Sequence, residues 1–477
     1  MSLKESAVSG LKWTTASKIG QQTLQFSTLI ILARLLLPED FGLMASAMVV
    51  IGFVNVFRDL GLSAALIQKQ NLSDELFSSV FWLSVAIGLI MMLALIIFSP
   101  YIANFYNANT LVPILQVLSL SFLFSGLSAV QQALLEKELK FKTISKIELF
   151  ATFLAAVTGI TMAILKFGIW SLVLQNLVFT FTVSSLFWIR LSKRPKFFFK
   201  WREIKSIYNF SANLAGFNIL NYFVRNADYI LIQKFLGEQQ LGYYTLAYRL
   251  MLYPLKNITA VMTRVMFPLL SKIQNDNKRF RDIYLKLVNT ISLLSFPLML
   301  GLVAVSDNFV IVVFGAKWEP VTTLILILAP LGLLQSIYTP AGIIYQAKGR
   351  TDWWFRWGLL TGVLFVTAFW IGLEWGIIGV ALAYLIVNII TFYPGLAIPF
   401  KLIELKVFNF IFSFNKNIII SLTMFVIVLC FKYVLNMYLG ITESLIISVI
   451  IGIVAYIGLS FKFNKEKINY VLESIKN

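Results

Sequence analysis

The sequence predicts an all-α polytopic membrane protein of about 14 transmembrane helices, and three observations lead there. First, 59% of its 477 residues are hydrophobic and only 13% are charged, more apolar surface than a soluble fold of that length could hide. Second, apolar stretches of about twenty residues, the length that crosses a bilayer, recur along the whole chain. Third, the basic residues sort by side. With the N-terminus cytoplasmic, the outside loops hold only Arg34, Lys166, Lys234, Lys317 and Lys432. Arg58, Arg225, Arg249, Lys256 and Arg264 lie within spans, and the rest of the 40 Lys and Arg fall inside. Such a positive-inside bias places both termini in the cytoplasm and the chain in the cell (inner) membrane.

Taken in order, the first span is expected at Leu11 to Leu37; Lys12 and Lys18 interrupt its apolar run, so it is no cleavable signal. Five more follow at Phe41 to Ile67, Ser78 to Ser99, Val112 to Leu134, Ile147 to Leu165 and Ile169 to Leu191. A connector from Arg190 to Lys205 then sets seven bases against one acid, Glu203, and marks a seam. Beyond it come Tyr208 to Phe235, Leu241 to Leu269, Tyr284 to Val305, Val321 to Tyr345, Trp354 to Leu373 and Trp375 to Ile398. Asn417 to Leu435 and Ile441 to Phe461 close the chain.

A repeat supports the seam. Shifting the chain by 200 residues places Arg34 on Lys234, Leu36 on Leu236, Phe41 on Leu241, Gly42 on Gly242 and Ala47 on Ala247. Both copies cover the turn between the first two helices of a lobe, as parallel repeats would. The expected organisation is an N-terminal six-helix lobe over 1–195 and a C-terminal six-helix lobe over 206–400. Residues 401–477 add two further helices and a cytoplasmic tail.

Composition also excludes chemistry. A single Cys430 and no His leave no disulfide framework and no ligand set for zinc, haem or an iron-sulfur cluster, so no metal or cofactor is expected. The net charge of +18 would suggest nucleic acid in a soluble protein. Here the membrane accounts for it, and no nucleic-acid partner is expected. No G-x-x-x-x-G-K-[ST] loop is present.

The polar residues inside the spans are the candidates for a site. Asn218, Asn221, Arg225 and Asp228 recur at three- and four-residue intervals, one stripe on a helix that is otherwise greasy. An ionisable group deep in a bilayer costs about 2.5 to 3.5 kcal/mol, so these side chains are expected to face a polar cavity. By helical rise Asp228 lies about 10 Å, Arg249 about 12 Å and Arg225 about 15 Å from the outer ends of their helices. Lys18, Gln22 and Gln25 form a second stripe on the first helix. Arg58 suits a cavity or a snorkelling role equally, and Arg264 suits a headgroup contact. Tyr243, Tyr244, Tyr248 and Tyr253, like Trp353, Trp354 and Trp357, read as interfacial belts. Pro254, Pro297, Pro330 and Pro340 are possible bending points.

Several longer motifs carry a resemblance. Gly10-Leu11-Lys12-Trp13 to Gln21-Gln22, then Leu32-Ala33-Arg34-Leu35-Leu36-Leu37-Pro38-Glu39-Asp40-Phe41-Gly42 and Asp59-Leu60-Gly61-Leu62, open the chain. Phe314-Gly315-Ala316-Lys317-Trp318 and Gln346-Ala347-Lys348-Gly349-Arg350 flank the tenth span. This pattern resembles the polysaccharide exporters of the multidrug/oligosaccharidyl-lipid/polysaccharide superfamily, in the branch that includes colanic-acid and teichuronic-acid exporters. The resemblance implies two six-helix lobes related by a pseudo-two-fold axis around a central cavity lined by helices one, two, seven and eight. It implies a flippase that moves a polyprenyl-diphosphate-linked oligosaccharide outward. Its partners would be that lipid-linked glycan, membrane lipids, a polysaccharide polymerase and glycosyltransferases. It supplies no binding residue by motif.

On the residues themselves, Arg225 and Arg249 would hold the diphosphate with Asp228 orienting one of them, or Asp228 and an arginine would form a purely structural ion pair. A diphosphate carrying about two charges gains roughly 4.6 kcal/mol per 100 mV on moving outward, so the membrane potential suffices as a driver, with an ion gradient as the alternative. A drug/cation antiporter of the same superfamily would need an acidic, aromatic cavity, whereas arginines outnumber acids in these spans. A polymerase or ligase would need a large catalytic outer loop, and the outer loops are short.

Overall fold

The computed structural model describes residues 3–58, 66, 73–190, 194–200 and 221–465, with the side chains at 3–12, 14–16, 57, 58, 256, 260, 261, 264 and 265 left aside. It contains helices and no strand among the described residues. The chain divides into two compact units, Met1–Gly242 and Tyr243–Asn477. Ten stretches among the described residues are long and apolar enough to cross a membrane. They coincide with the second to sixth expected spans and with the ninth to fourteenth, Thr351–Lys401 holding the eleventh and twelfth together. The first, seventh and eighth expected spans, which carry Gln22, Gln25, Asn221, Arg225, Asp228 and Arg249, are not among the ten: residues 208–220 of the seventh lie outside the described residues, and the helix Glu238–Pro254 has 17 residues.

The first unit contains α1 (Leu3–Leu35), α2 (Pro38–Arg58), α3 (Asp74–Tyr106), α4 (Leu111–Lys137), α5 (Phe141–Ile164), α6 (Trp170–Arg190) and α7 (Ala227–Leu236). The first turn of α8 (Glu238–Pro254) completes it. Packing pairs α3 with α4, α1 with α5, α6 with both α4 and α5, and α7 with α2. Phe77, Val80, Phe81, Leu134 and Phe187 form its core near the start of α3. There Ser73 caps α3 by accepting from the Leu76 amide at 3.1 Å.

The basic connector is laced onto that same helix start. The Lys196 amide donates to Ser78 Oγ at 3.0 Å and the Lys200 amide to Ser79 Oγ at 2.9 Å. Lys196 reaches Asp74 at 3.3 Å and Lys200 reaches Glu75 at 2.6 Å. Residues 194–200 are therefore a fastened part of the first unit, and the compact division falls later, at Gly242.

α4 lies against α3 at small residues: a side chain on Gly88 would strike the Phe122 carbonyl, and one on Gly126 the Ser84 carbonyl, each at 2.6 Å. The turn between α1 and α2 is equally tight. Pro38 opens α2, where a missing amide hydrogen costs nothing, and Asp40 Oδ2 accepts from the Leu37 amide at 3.0 Å. Gly42, one turn on, meets the start of α8 in a reciprocal contact. A Cβ on Gly42 would land on the carbonyl oxygen of Glu238, and a Cβ on Gly242 would land on that of Pro38. The contact maps onto itself under the offset that relates Gly42 to Gly242, so the sequence repeat is a structural one at this point.

The second unit continues α8 into a wide π turn at Leu255–Thr259, then α9 (Ala260–Lys272), α10 (Asn277–Ala304), α11 (Ser306–Val313), α12 (Pro320–Tyr338) and α13 (Gly342–Ala347). It ends with α14 (Thr351–Gly372), α15 (Gly376–Lys401), α16 (Val407–Ser413), α17 (Asn415–Tyr438) and α18 (Ile441–Phe463). Backbone geometry departs from the α form directly after Pro254 and around Pro340, where Thr339–Ala341 tightens to a 3₁₀ turn. α17 packs on α10 and α18. Buried Asn417 donates to Ser292 Oγ at 2.7 Å, and Tyr456 donates to the Leu293 carbonyl at 2.6 Å, so the last two helices are bonded into this unit.

The later family-like motifs act as fasteners. Lys348 donates to the Gln274 carbonyl and, at 2.6 Å, to Asn277 Oδ1, while Asn277 and Arg281 both hold Glu404. Burial lowers the Lys348 pKa, against the opposing pull of Glu404. Trp318 and Phe314 are wholly buried.

Candidate functional site

Residues 221–225 are helical, Asn226 is a turn, and α7 restarts at Ala227. The stripe expected on one continuous helix is therefore broken. Asn226 sits at φ −120° and ψ 11°, and both its backbone amide, at 3.2 Å, and its Nδ2, at 2.8 Å, donate to the Tyr222 carbonyl. Before the break Asn221 and Arg225 are exposed; after it Asp228 is only 3% exposed. Asp228 stands in the first turn of α7 and accepts from the Tyr229 amide at 2.9 Å, where a carboxylate complements the helix dipole.

The segment is clasped to α2. Tyr222 Oη donates to the Val49 carbonyl at 2.7 Å beside Gly52, and Phe53 packs on Tyr222 and Phe223 with centroids 6.1 and 4.9 Å apart. Lower on the same pair of helices Ser46 Oγ donates to buried Gln233 Oε1 at 2.7 Å. Arg225 is thus held at a defined register, with accessible surface and no carboxylate within ion-pair distance among the described residues.

Asn218 lies outside the described residues, as does the Asp59 to Leu62 motif, and the side chain of Arg58 is not described. Arg249 is exposed on α8, in the second unit. On α1, Gln25 is exposed and Gln22 half-buried. The face of α1 that meets α5 is Ser17 and Gln21: Ser17 donates to the Ser145 carbonyl at 2.9 Å, and Gln21 Nε2 reaches Glu148 Oε2 at 3.3 Å. Gln25 follows Gln21 by one helical turn, and Gln22 is rotated about 100° from Gln21 around the helix.

Of the tyrosines read as an interfacial belt on α8, Tyr253 is exposed, whereas the three before it turn inward. Tyr243 and Tyr244 are buried, the former edge-on to Trp318 and the latter stacked on Tyr248. Tyr248 stacks in turn on Tyr384, whose hydroxyl accepts from Gln335 Nε2 at 3.0 Å. Trp357 likewise turns inward and donates to Tyr338 Oη at 2.9 Å. Aromatic clustering near a span end carries no sign of which way the rings point.

Sequence reasoning also missed a polar recess of about 410 Å³ within the first unit, lined by Ser84, Ser128, Gln132, Glu136, Glu148 and Thr180. Its two glutamates are braced by amides, Glu136 by Gln132 at 2.9 Å and Glu148 by Gln21. These residues come from α3, α4, α5 and α6, and no local spacing reveals them.

Comparison with known proteins adds a family. A family model described as polysaccharide biosynthesis protein matches residues 31–323. The teichuronic acid biosynthesis protein TuaB of Bacillus subtilis is 31% identical over 89% of this chain and 89% of its own. The lipopolysaccharide biosynthesis protein WzxC of Escherichia coli is 31% identical over 82% of this chain and 80% of its own. Among solved structures, the lipid II flippase MurJ in an inward closed conformation superposes with a TM-score of 0.77 at 19% identity, covering 95% of this chain and 99% of that one. A likeness at that identity speaks for the fold.

Proposed function

We propose, on the premise that this chain belongs to the polysaccharide biosynthesis protein family, that it flips a polyprenyl-diphosphate-linked oligosaccharide from the cytoplasmic to the outer face of the cell membrane. The observation that carries this reading is Arg225. A guanidinium in a helical segment of an apolar chain, fixed on α2 by Tyr222, is costly to keep in a membrane unless an anion or water meets it. A diphosphate is the anion that this family's lipid-linked glycans bring. Arg225 and Arg249 bind it by charge-assisted hydrogen bonds, with Arg58 as a further cation. Asn218, Asn221, Gln22 and Gln25 offer amide groups to sugar hydroxyls. Asp228, buried at the start of α7 and accepting from the Tyr229 amide, takes the structural role of the two open to it.

Transport proceeds by alternating access of the two six-helix repeats, with both termini cytoplasmic. Outward movement of about two negative charges is downhill by roughly 4.6 kcal/mol per 100 mV, so no ion need be coupled. Arg225→Ala and Arg249→Ala are expected to abolish polysaccharide export in cells while protein levels in the membrane hold. Full export by both variants would remove this site. Collapsing the potential in vesicles at constant pH is expected to stop flipping, and unchanged transport would exclude the potential as driver.

A further inference from the structure

A second basic feature of the first unit is separate from Arg225. Where α4, α5 and α6 converge, a recess of about 590 Å³ is lined by Lys140, Lys142, Lys146 and Arg190 together with apolar side chains such as Phe150 and Leu186. We propose that this recess binds an anionic phospholipid of the cytoplasmic leaflet, its phosphate among the bases and its acyl chains along α5.

Charge is the first ground. Lys142 and Lys146 stand one helical turn apart, and both ammonium groups rest on one ring, Trp13, at 4.7 and 5.5 Å from its centroid. Two like charges at that spacing repel, and a shared indole face offsets this only in part. The first turn of α5 has no acidic residue, and Lys140 gives it no side-chain cap. Lys140 is the one base of the four with a carboxylate partner among the described residues, Glu138 at 2.7 Å. A phosphate in the recess would relieve the repulsion between the lysines.

Shape is the second ground. Phe150, Phe153, Leu154 and Val157 recur along α5 at three- and four-residue steps, and all are exposed. The apolar face begins at the recess and runs on up the helix. A soluble anion such as a nucleotide or free phosphate gains nothing from it, whereas a phospholipid covers it with hydrocarbon. The occupant is a bulk phospholipid rather than the lipid-linked glycan because Phe150, Phe153, Leu154 and Val157 offer sugar hydroxyls no polar partner, and bulk lipid outnumbers any biosynthetic intermediate. Basic pockets between membrane helices on the cytoplasmic side are suited to such headgroups.

The test uses the full chain in nanodiscs of phosphatidylethanolamine with increasing phosphatidylglycerol or cardiolipin, and counts the lipids retained on native mass spectrometry. Retention of phosphatidylglycerol or cardiolipin is expected to exceed that of phosphatidylethanolamine about tenfold. The triple variant Lys142→Gln/Lys146→Gln/Arg190→Gln should lose that preference, and Lys142→Arg/Lys146→Arg should keep it. Unchanged preference in the glutamine variant would overturn the proposal, as would displacement of the lipid by millimolar inorganic phosphate. Displacement by polyprenyl diphosphate at equal concentration would reassign the recess to the substrate and overturn it too. Should the triple variant fail to fold, a photoreactive phosphatidylglycerol on the unaltered protein must cross-link within 140–150, and cross-links confined elsewhere would refute the site.

Discussion

The two copies of the repeat start alike and then part. At Pro38–Gly42 and Glu238–Gly242 each chain enters a helix through the same turn, and each glycine meets the carbonyl four residues before the other. Beyond that point α2 runs unbroken to Arg58, while α8 departs from α geometry after Pro254 into a π turn. The helices before the two turns differ in the same sense, α1 being continuous and the segment leading into α7 broken at Asn226. The repeat is strict where backbone touches backbone, because no side chain can be accommodated there, and it is loose where side chains face each other or a polar space. The second copy has taken up the irregularities, and with them Arg225.

Breaking the shared contact should have the largest effect. Gly42→Leu or Gly242→Leu is expected to destabilise the protein by about 3 kcal/mol or more, seen as loss of monodisperse material or a fall in Tm in detergent. Because the contact is reciprocal, Gly42→Ala and Gly242→Ala should cost similar amounts and the double variant less than their sum; additive losses would mean the two glycines act separately. Next comes Arg225: its replacement by alanine should cut export at least tenfold with Tm nearly unchanged, whereas Asp228→Ala should lower Tm, separating ligand from scaffold. Ser46→Ala strands Gln233 and should cost about 1 to 3 kcal/mol in thermal unfolding. The smallest effect is expected from Pro254→Ala, which restores an amide where the helix loosens and should slow hydrogen exchange over 255–259 without unfolding the chain.

Much of this was legible in the residues. Span after span, the expected apolar segments between residues 78 and 190 and between 284 and 461 overlap helices of matching position, since length and hydropathy alone decide whether a segment can live in hydrocarbon. The repeat was legible as well, because Gly42 and Gly242 carry a steric demand that only glycine meets. The orientation of polar groups was not. Gln21 reaches Glu148 on α5, more than a hundred residues away in the chain, and nothing local announces that partner. The break at Asn226 is a matter of one residue's backbone dihedrals, which periodicity analysis cannot register. The inward tyrosines were missed for the same reason: belt and core positions have the same composition.

By itself the sequence determined that this is a helical membrane chain in which one glycine-bearing turn recurs at 42 and 242. Hydrophobic length, basic-residue asymmetry and a glycine's missing side chain are local quantities, readable one segment at a time. Only the tertiary structure decided that Asp228 serves a helix start while Arg225 keeps an accessible guanidinium, and that Lys142 and Lys146 converge with Arg190 on one apolar-walled recess. Those outcomes depend on which helix lies beside which, and partners far apart in the chain set the surroundings of every charge in a membrane.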